Sequence, residues 1–209
     1  MRENPFDKAA ETWDEKPERV EHALRTAEAV IAMAPPAPDA RILDYGCGTG
    51  TLAAALAGRS GAVVAADTSA GMISQLERKA DETGINNIEA IILDPNALPV
   101  WKNEFDLVVS SMTLHHVEDI APLLRLFANA LKRGGALFLA DLLEEDGSFH
   151  SDMEVPHKGF DPEKLAEKLE SLGLLEKDIR VIREIEKNGR KYPVFALLAE
   201  KIDGEENAR

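Results

Sequence analysis

The stretch Arg41-Ile42-Leu43-Asp44-Tyr45-Gly46-Cys47-Gly48-Thr49-Gly50-Thr51 combines a short apolar run, a carboxylate and three glycines at alternate positions. Residues 41–44 predict a buried strand, and the small residues at 51–57 predict a helix that ends at Gly58. Glycines between a strand and a helix allow a tight turn and present free N–H groups to a ligand at the helix N-terminus. The stretch therefore predicts a ligand-binding loop after the first strand.

Helix and strand patterns alternate along the rest of the chain. Strand patterns cover residues 41–44, 62–66, 88–93, 105–110, 136–142, 179–185 and 192–199, and helix patterns cover residues 17–34, 51–57, 69–84, 120–132 and 161–173. This alternation is typical of a parallel sheet with helices on its faces. The last two strand patterns flank Asn188-Gly189, which favours a type I′ hairpin turn, so we expect the sheet to finish with an antiparallel pair.

Length and composition limit the class of protein. The chain has 209 residues, a formal net charge of −14 and 44% hydrophobic residues, which excludes a disordered chain and argues against a nucleic-acid partner. Cys47 is the only cysteine and cannot form an internal disulfide bond. We recognise no signal peptide and no apolar run near the ~18 residues that a membrane span needs. We therefore expect a soluble cytoplasmic protein.

Acidic residues beside the glycine loop indicate which ligand it holds. Asp67 lies 21 residues after Gly46, at the end of the predicted second strand, where a carboxylate can accept hydrogen bonds from both ribose hydroxyls. The third glycine comes one position too early for a dinucleotide fingerprint, which would have Gly or Ala where Thr51 stands. Asp44, directly before the loop, would repel a pyrophosphate and attract an ammonium group. S-adenosylmethionine has an ammonium group, a ribose and no phosphate.

At these residues the chain resembles the class I S-adenosylmethionine-dependent methyltransferases, and its segment at residues 6–14 resembles the lid of their small-molecule branch. Five motifs over about residues 42–201 carry the resemblance in family order: Asp44-x-Gly46-x-Gly48-x-Gly50, Asp67, residues 94–99, Phe105-Asp106-Leu107-Val108 and Leu131-Lys132-Arg133-Gly134-Gly135. The resemblance implies an α/β fold, a Rossmann-like three-layer sandwich with a mostly parallel seven-stranded sheet and a C-terminal antiparallel hairpin. That hairpin agrees with the one expected from the turn residues.

The resemblance also implies which residues bind the cofactor. These are Asp44, Gly46, Cys47, Gly48, Gly50, Asp67, Thr68, Met72, Asp94, Pro95, Asn96 and Ser110. The glycines would line the methionine portion of S-adenosylmethionine, and Asp44 would reach its ammonium group. Asp67 would hold the ribose, and Met72 would pack on the adenine.

Three expectations in this set concern less regular positions. Asp94 would accept a hydrogen bond from the adenine amino group. Pro95 lacks the backbone N–H that many relatives donate to the adenine ring, so this contact must be lost or replaced by Asn96 or Ala97. Ser110, at the end of the predicted fourth strand, lies where relatives approach the sulfonium.

Four histidines are the candidate catalytic residues. They follow the predicted fourth and fifth strands, and ligands bind at the carboxyl ends of strands in such sheets: His115, His116, His150 and His157. Methyl transfer needs mainly positioning and exclusion of water, and it needs a base only if the acceptor must lose a proton. A histidine could supply that base or orient the acceptor, or could be an ordinary loop residue. Their spacings match no compact ligand motif, so we expect no metal site.

The expected organisation is an N-terminal helical lid at 1–36, a methyltransferase domain at 37–202 and a frayed tail at 203–209. Phe6 and Trp13 would close over a flat or apolar acceptor, or would pack a terminal helix on the sheet. The expected partner is a small-molecule methyl acceptor, with S-adenosylhomocysteine as the coproduct. Two alternatives remain: a non-catalytic S-adenosylmethionine-binding module and a nicotinamide-dependent oxidoreductase.

Overall fold

The computed structural model describes residues 4–150 and 153–202. Within these ranges the helices are α1 (Pro5–Ala9), α2 (Pro17–Met33), α3 (Thr51–Ala57), α4 (Ala70–Thr83), α5 (Ile120–Ala130) and α6 (Pro162–Glu170), with 3-10 turns at Ala10–Glu15 and Leu114–His116. The strands are β1 (Arg41–Tyr45), β2 (Ala62–Asp67), β3 (Ile88–Ile92), β4 (Phe105–Ser111), β5 (Leu131–Leu142), β6 (Leu174–Lys187) and β7 (Arg190–Lys201). The expected tail at 203–209 lies outside the described residues.

The strands form a seven-stranded sheet in the order β3-β2-β1-β4-β5-β7-β6. The pairs β1–β2, β2–β3 and β4–β5 are parallel, whereas β7 is antiparallel to both β5 and β6. The expected α/β fold, with a mostly parallel sheet and a closing antiparallel hairpin, is confirmed. Asn188 and Gly189 have φ of 54° and 73° between the paired residues Lys187 and Arg190, and positive φ at both positions is what a type I′ turn requires.

Two predicted boundaries are wrong, and long-range pairing explains both. We predicted that α5 continues to residue 132 and that β5 begins at 136, whereas α5 ends at Ala130 and β5 begins at Leu131. Leu131 pairs with Phe105 and is fully buried, so sheet pairing displaces the last turn of the helix. Strand β6 begins at Leu174, where it pairs with Lys201, well before the predicted residue 179. A register shift between Glu176 and Asp178 interrupts the alternation of apolar and polar residues, so the pattern does not reveal this part of the strand.

The chain divides into two compact units, Met1–Val100 and Trp101–Arg209. The first unit holds α1–α4 and β1–β3, and apolar residues on the parallel strands form its core, with Ile42, Leu43 and Ala65 fully buried. The second unit holds the remaining elements and buries large side chains such as Phe127 and Phe138. No helix among the described residues is long and apolar enough to cross a membrane.

Candidate functional site

Asp44 lies in β1 of the first unit and is a buried carboxylate, with only 1% of its surface exposed. Its Oδ2 atom has no hydrogen-bond partner. Burial, reinforced by the charge of Asp67, raises the pKa of Asp44 to about 7, although a hydrogen bond from the backbone of Ala53 acts in the opposite direction. A buried carboxylate oxygen without a partner is costly to the fold, and a cationic ligand would supply the missing interaction.

Asp67 connects the end of β2 to the glycine loop. Its Oδ2 atom accepts a hydrogen bond from the Gly48 N–H at 2.9 Å, and its Oδ1 atom accepts one from the Ser69 N–H at 2.9 Å. A carboxylate offers about four acceptor positions, so this arrangement leaves capacity for ribose hydroxyls. Burial raises the pKa of Asp67, and these backbone bonds counteract part of that rise. The side chain therefore shapes the loop, and its role at the ribose stays a prediction.

The glycine loop itself has one open position and one crowded position. At Gly48, with φ of +53°, an added Cβ would meet nothing within 4 Å, whereas at Gly50 it would lie 2.4 Å from Cγ of the buried Leu76. Gly48 therefore presents open space to a ligand, and Gly50 allows α4 to pack against the loop. Gly46 and Cys47 fix the loop by donating their N–H groups to the Ala66 carbonyl.

Cys47 lies within the loop as a buried thiol. Burial, together with the charges of Asp44 and Asp67, raises the pKa of the Cys47 thiol well above its usual range. The protonated thiol is a weak nucleophile, so Cys47 is suited to lining a site rather than to covalent chemistry.

The start of α4 presents the next expected cofactor residues. Met72 is 2% exposed, and its N–H donates to the Ser69 hydroxyl, which caps the helix. The Thr68 hydroxyl accepts a hydrogen bond from the Asn4 side chain at 3.2 Å. The structure thus places Thr68 and Met72 directly after Asp67, with Met72 fixed in the core of the first unit.

Asp94 and Asn96 form a local turn after β3. The Asp94 Oδ1 atom accepts hydrogen bonds from the backbone N–H and the side-chain amide of Asn96, at 2.8 and 3.2 Å. The Ala97 N–H donates to the Asp94 carbonyl at 3.2 Å. The two N–H groups that could replace the one missing at Pro95 are therefore engaged within the turn.

Two acidic residues that the sequence analysis did not single out attach the N-terminal segment to this site. Asp7 accepts hydrogen bonds from the Ser69 hydroxyl at 2.6 Å and from the Gly71 N–H at 3.0 Å, and Asp14 accepts one from the Thr49 hydroxyl at 2.7 Å. Phe6 and Trp13 pack edge to face with ring centroids 5.9 Å apart. The segment is therefore bonded to the loop and to the start of α4.

Three of the four candidate histidines come together in the second unit. The ring centroids of His115 and His116 are 4.1 Å apart, and His150 lies 4.8 Å from the first and 5.3 Å from the second. We call His115, His116 and His150 the histidine cluster. His157 is bonded elsewhere, because its Nε2 atom lies 3.2 Å from the Glu118 carbonyl oxygen. Ser110, the remaining candidate in this unit, is fully buried in β4.

Asp141 fixes His115 of the histidine cluster by a hydrogen bond, and it is not among the residues predicted from the sequence. Its Oδ1 atom lies 2.6 Å from Nδ1 of His115, and both side chains are 1% exposed. Asp141 also accepts hydrogen bonds from the backbone N–H groups of His115 and Leu142. The available signal was a lone carboxylate in the apolar strand run of residues 136–142.

The electrostatics of the histidine cluster keep one ring neutral. Burial, followed by the neighbouring rings of His115 and His150, lowers the pKa of His116 to about 3. His116 is therefore neutral near pH 7 and offers both a donor and an acceptor nitrogen.

The loop that carries His150 is held in place by the second unit. Glu145 accepts hydrogen bonds from the N–H groups of Gly147 and Phe149, and Asp146 forms an ion pair with Arg190 at 2.7 Å. Phe149 packs against Tyr192 with ring centroids 5.1 Å apart. The polar loop between β5 and α6 is therefore attached to β7, and this attachment positions His150.

Comparison with known proteins agrees with the fold and the glycine loop. The family described as a methyltransferase domain matches residues 42–135. Aklanonic acid methyltransferase DauC of Streptomyces sp. strain C5 is 29% identical over 147 residues, 69% of this chain and 66% of that protein. The ubiquinone biosynthesis O-methyltransferase of Xanthomonas axonopodis pv. citri is 31% identical over 140 residues, 66% of this chain and 58% of that protein.

A solved structure shows the same fold over nearly the whole chain. It is a Haloferax volcanii protein in complex with the Trm112 methyltransferase activator, with a TM-score of 0.81 and 17% identity over 97% of this chain and all of that chain. The fold agrees with the methyltransferase-domain match, which covers the glycine loop. Through its methyltransferase domain at residues 42–135, this chain is similar to the class I S-adenosylmethionine-dependent methyltransferases. It spans about half to two thirds of the length of the curated relatives it matches.

Replacing Asp44 with Asn tests the buried charge. The pKa of Asp44 is about 7 in the folded protein and about 4 in an unfolded chain, so ionisation destabilises the fold increasingly as pH rises between these values. Without cofactor, Asp44→Asn should therefore unfold at a higher temperature than the parent at pH 8, with a smaller difference at pH 5.

Thermal unfolding followed by circular dichroism at the two pH values measures this effect. The exposed residue Asp39 offers a control, since Asp39→Asn also removes one negative charge from the first unit. Equal unfolding temperatures for Asp44→Asn and the parent at pH 8 would contradict the account.

Proposed function

We propose that this protein transfers a methyl group from S-adenosylmethionine to a small-molecule acceptor. The observation that carries the proposal is the unpartnered, buried Oδ2 atom of Asp44 beside a glycine loop whose Gly48 position is open. This combination fits a ligand with an ammonium group and no phosphate, because a phosphate would be repelled by the carboxylate. When bound, the sulfonium compound supplies a methyl carbon that is already activated.

The roles of the first unit follow from its contacts. Asp44 binds the ammonium group, the open face at Gly48 accommodates the methionine portion, and Asp67 accepts from the ribose hydroxyls with its remaining capacity. Met72 contacts the adenine from the start of α4, and the Asp94 turn accepts from the adenine amino group. The segment at 1–36 acts as a lid, which is supported by the bond between Asp14 and Thr49.

The histidine cluster binds the methyl acceptor. Asp141 accepts from Nδ1 of His115, which leaves the buried Nε2 atom of that ring as an acceptor. The neutral ring of His116 orients a polar group of the acceptor without charge. Two relatives act, by their names, in ubiquinone biosynthesis and on aklanonic acid, which supports a small-molecule acceptor. The net charge of −14 argues against a nucleic acid.

Cofactor binding is tested by calorimetric titration with S-adenosylmethionine, S-adenosylhomocysteine and NADH. We expect micromolar binding of the first two and none of NADH. Gly48→Ala should weaken S-adenosylmethionine binding at least tenfold, because the added methyl group enters the open ligand face.

Gly84→Ala is the matched control for this substitution. Gly84 also has positive φ and open space around its Cβ position, but it caps the far end of α4. Both variants place a Cβ atom at a position with positive φ, so both carry a similar backbone strain. A difference in their affinity for S-adenosylmethionine therefore reports contact with the ligand. Equal affinity of the two variants for S-adenosylmethionine would refute the placement of the cofactor at Gly48.

Turnover separates an enzyme from a non-catalytic S-adenosylmethionine-binding module. With an acceptor found by screening small hydroxylated and quinol compounds, His116→Asn should lower kcat/KM about 100-fold, a magnitude typical of a lost acid–base or orienting group. Its affinity for S-adenosylmethionine should stay within twofold, because His116 belongs to the acceptor side. Methyl transfer that is unchanged in this variant would exclude the histidine cluster from the reaction.

A further inference from the structure

The nitrogen atoms of the histidine cluster converge on one point of the second unit. His115, His116 and His150 each offer one ring nitrogen, and these atoms all lie within 4.8 Å of one another. His115 is buried, and the other two rings are partly buried. Imidazole nitrogens are preferred ligands of zinc, copper, iron and nickel ions.

Asp141 selects the nitrogen that His115 presents. Its carboxylate lies 2.6 Å from Nδ1, so Nδ1 donates to Asp141 and Nε2 is the nitrogen left for a ligand. That Nε2 atom is buried and has no hydrogen-bond partner. A buried acceptor nitrogen without a donor is costly, and a metal ion would satisfy it. A carboxylate behind a histidine is also the arrangement that orients metal-binding imidazoles in proteins.

We propose that His115, His116 and His150 bind a divalent first-row transition metal ion, with Asp141 orienting His115 from behind. Zinc binds imidazole nitrogens, and in tetrahedral sites with three protein ligands its fourth position is open. Zinc–nitrogen distances of about 2.05 Å place tetrahedral ligands about 3.3 Å apart, so the rings need to close by up to about 1.5 Å. Metal binding would therefore require small rotations of the His116 and His150 side chains.

The position that three protein ligands leave open would take water or a polar atom of the acceptor. This consequence, unlike metal binding itself, rests on the proposed function. A bound zinc ion would lower the pKa of a hydroxylated acceptor at this position, and the proton would leave to bulk water, which would prepare the acceptor oxygen for methylation. We expected no metal site because the histidines are irregularly spaced in the sequence. The fold nevertheless brings three of their ring nitrogens within 4.8 Å of one another.

Titration of untagged, chelator-treated protein with Co²⁺ and then Zn²⁺ tests the site. We expect one Co²⁺ per chain, with the intense visible absorption of a tetrahedral ion, and stoichiometric displacement by Zn²⁺. Mg²⁺, which prefers octahedral oxygen ligands, should not compete. The unaltered protein gives this result, so it does not depend on whether a variant folds. Absence of stoichiometric binding, or an octahedral spectrum with no displacement by Zn²⁺, would overturn the proposal.

Substitutions assign the ligands. His116→Asn and His150→Asn should each weaken Zn²⁺ binding at least tenfold, whereas His157→Asn should stay within twofold because that ring bonds the Glu118 carbonyl instead. Asp141→Asn should weaken binding and shift the Co²⁺ absorption, which a purely structural role would not do. Equal losses for His157→Asn and His116→Asn would overturn the assignment.

Titration with S-adenosylmethionine separates this inference from the proposed function. Cofactor binding by the first unit is measured on the same metal-free samples and shows that each variant is folded. Metal binding without any methyl transfer would leave the site standing while the proposed function fails. Methyl transfer by protein that binds no metal would refute the site alone.

Discussion

The fold of the first unit brings a carboxylate, Asp44, into an apolar strand and leaves one of its oxygens without a partner. Water cannot solvate a charge at this depth, so burial raises the pKa of Asp44. The charged form therefore needs a cationic ligand beside it. Asp67 keeps the glycine loop in position by bonding the Gly48 N–H. The buried charge of Asp44 is thus left for a ligand to neutralise, and Asp67 sets the geometry of the loop where that ligand would bind.

The second unit also buries a carboxylate, but there the protein supplies its hydrogen-bond partners. Asp141 is as deeply buried as Asp44, but His115 and two backbone N–H groups satisfy it. The atom that lacks a hydrogen-bond partner is instead Nε2 of His115, which lies in the histidine cluster. In both units a strand carries a buried acid, and in both units the atom left without a partner faces the position where we propose a ligand. Such atoms are costly to stability and are found at functional sites.

Local features of the sequence predicted most of the fold. The glycine loop and the Asn188-Gly189 turn were found because a turn with positive φ leaves its signature in adjacent residues. The start of β5 was missed, because pairing of Leu131 with the distant Phe105 sets that boundary. The histidines were chosen as candidates after strands, but nothing in their spacing reveals that three rings meet. An ion pair between Asp146 and Arg190, 44 residues apart, helps to hold the loop that brings His150 there.

Proton release on cofactor binding tests the role of Asp44 most directly. At pH 7 a carboxyl with a pKa of about 7 is half protonated, and an ammonium group beside it would displace that proton. Titrating S-adenosylmethionine in buffers of different ionisation enthalpy should show release of about half a proton per molecule bound. The release should disappear in Asp44→Asn together with most of the affinity. Tight binding with no proton release, or unchanged binding by Asp44→Asn, would contradict the account.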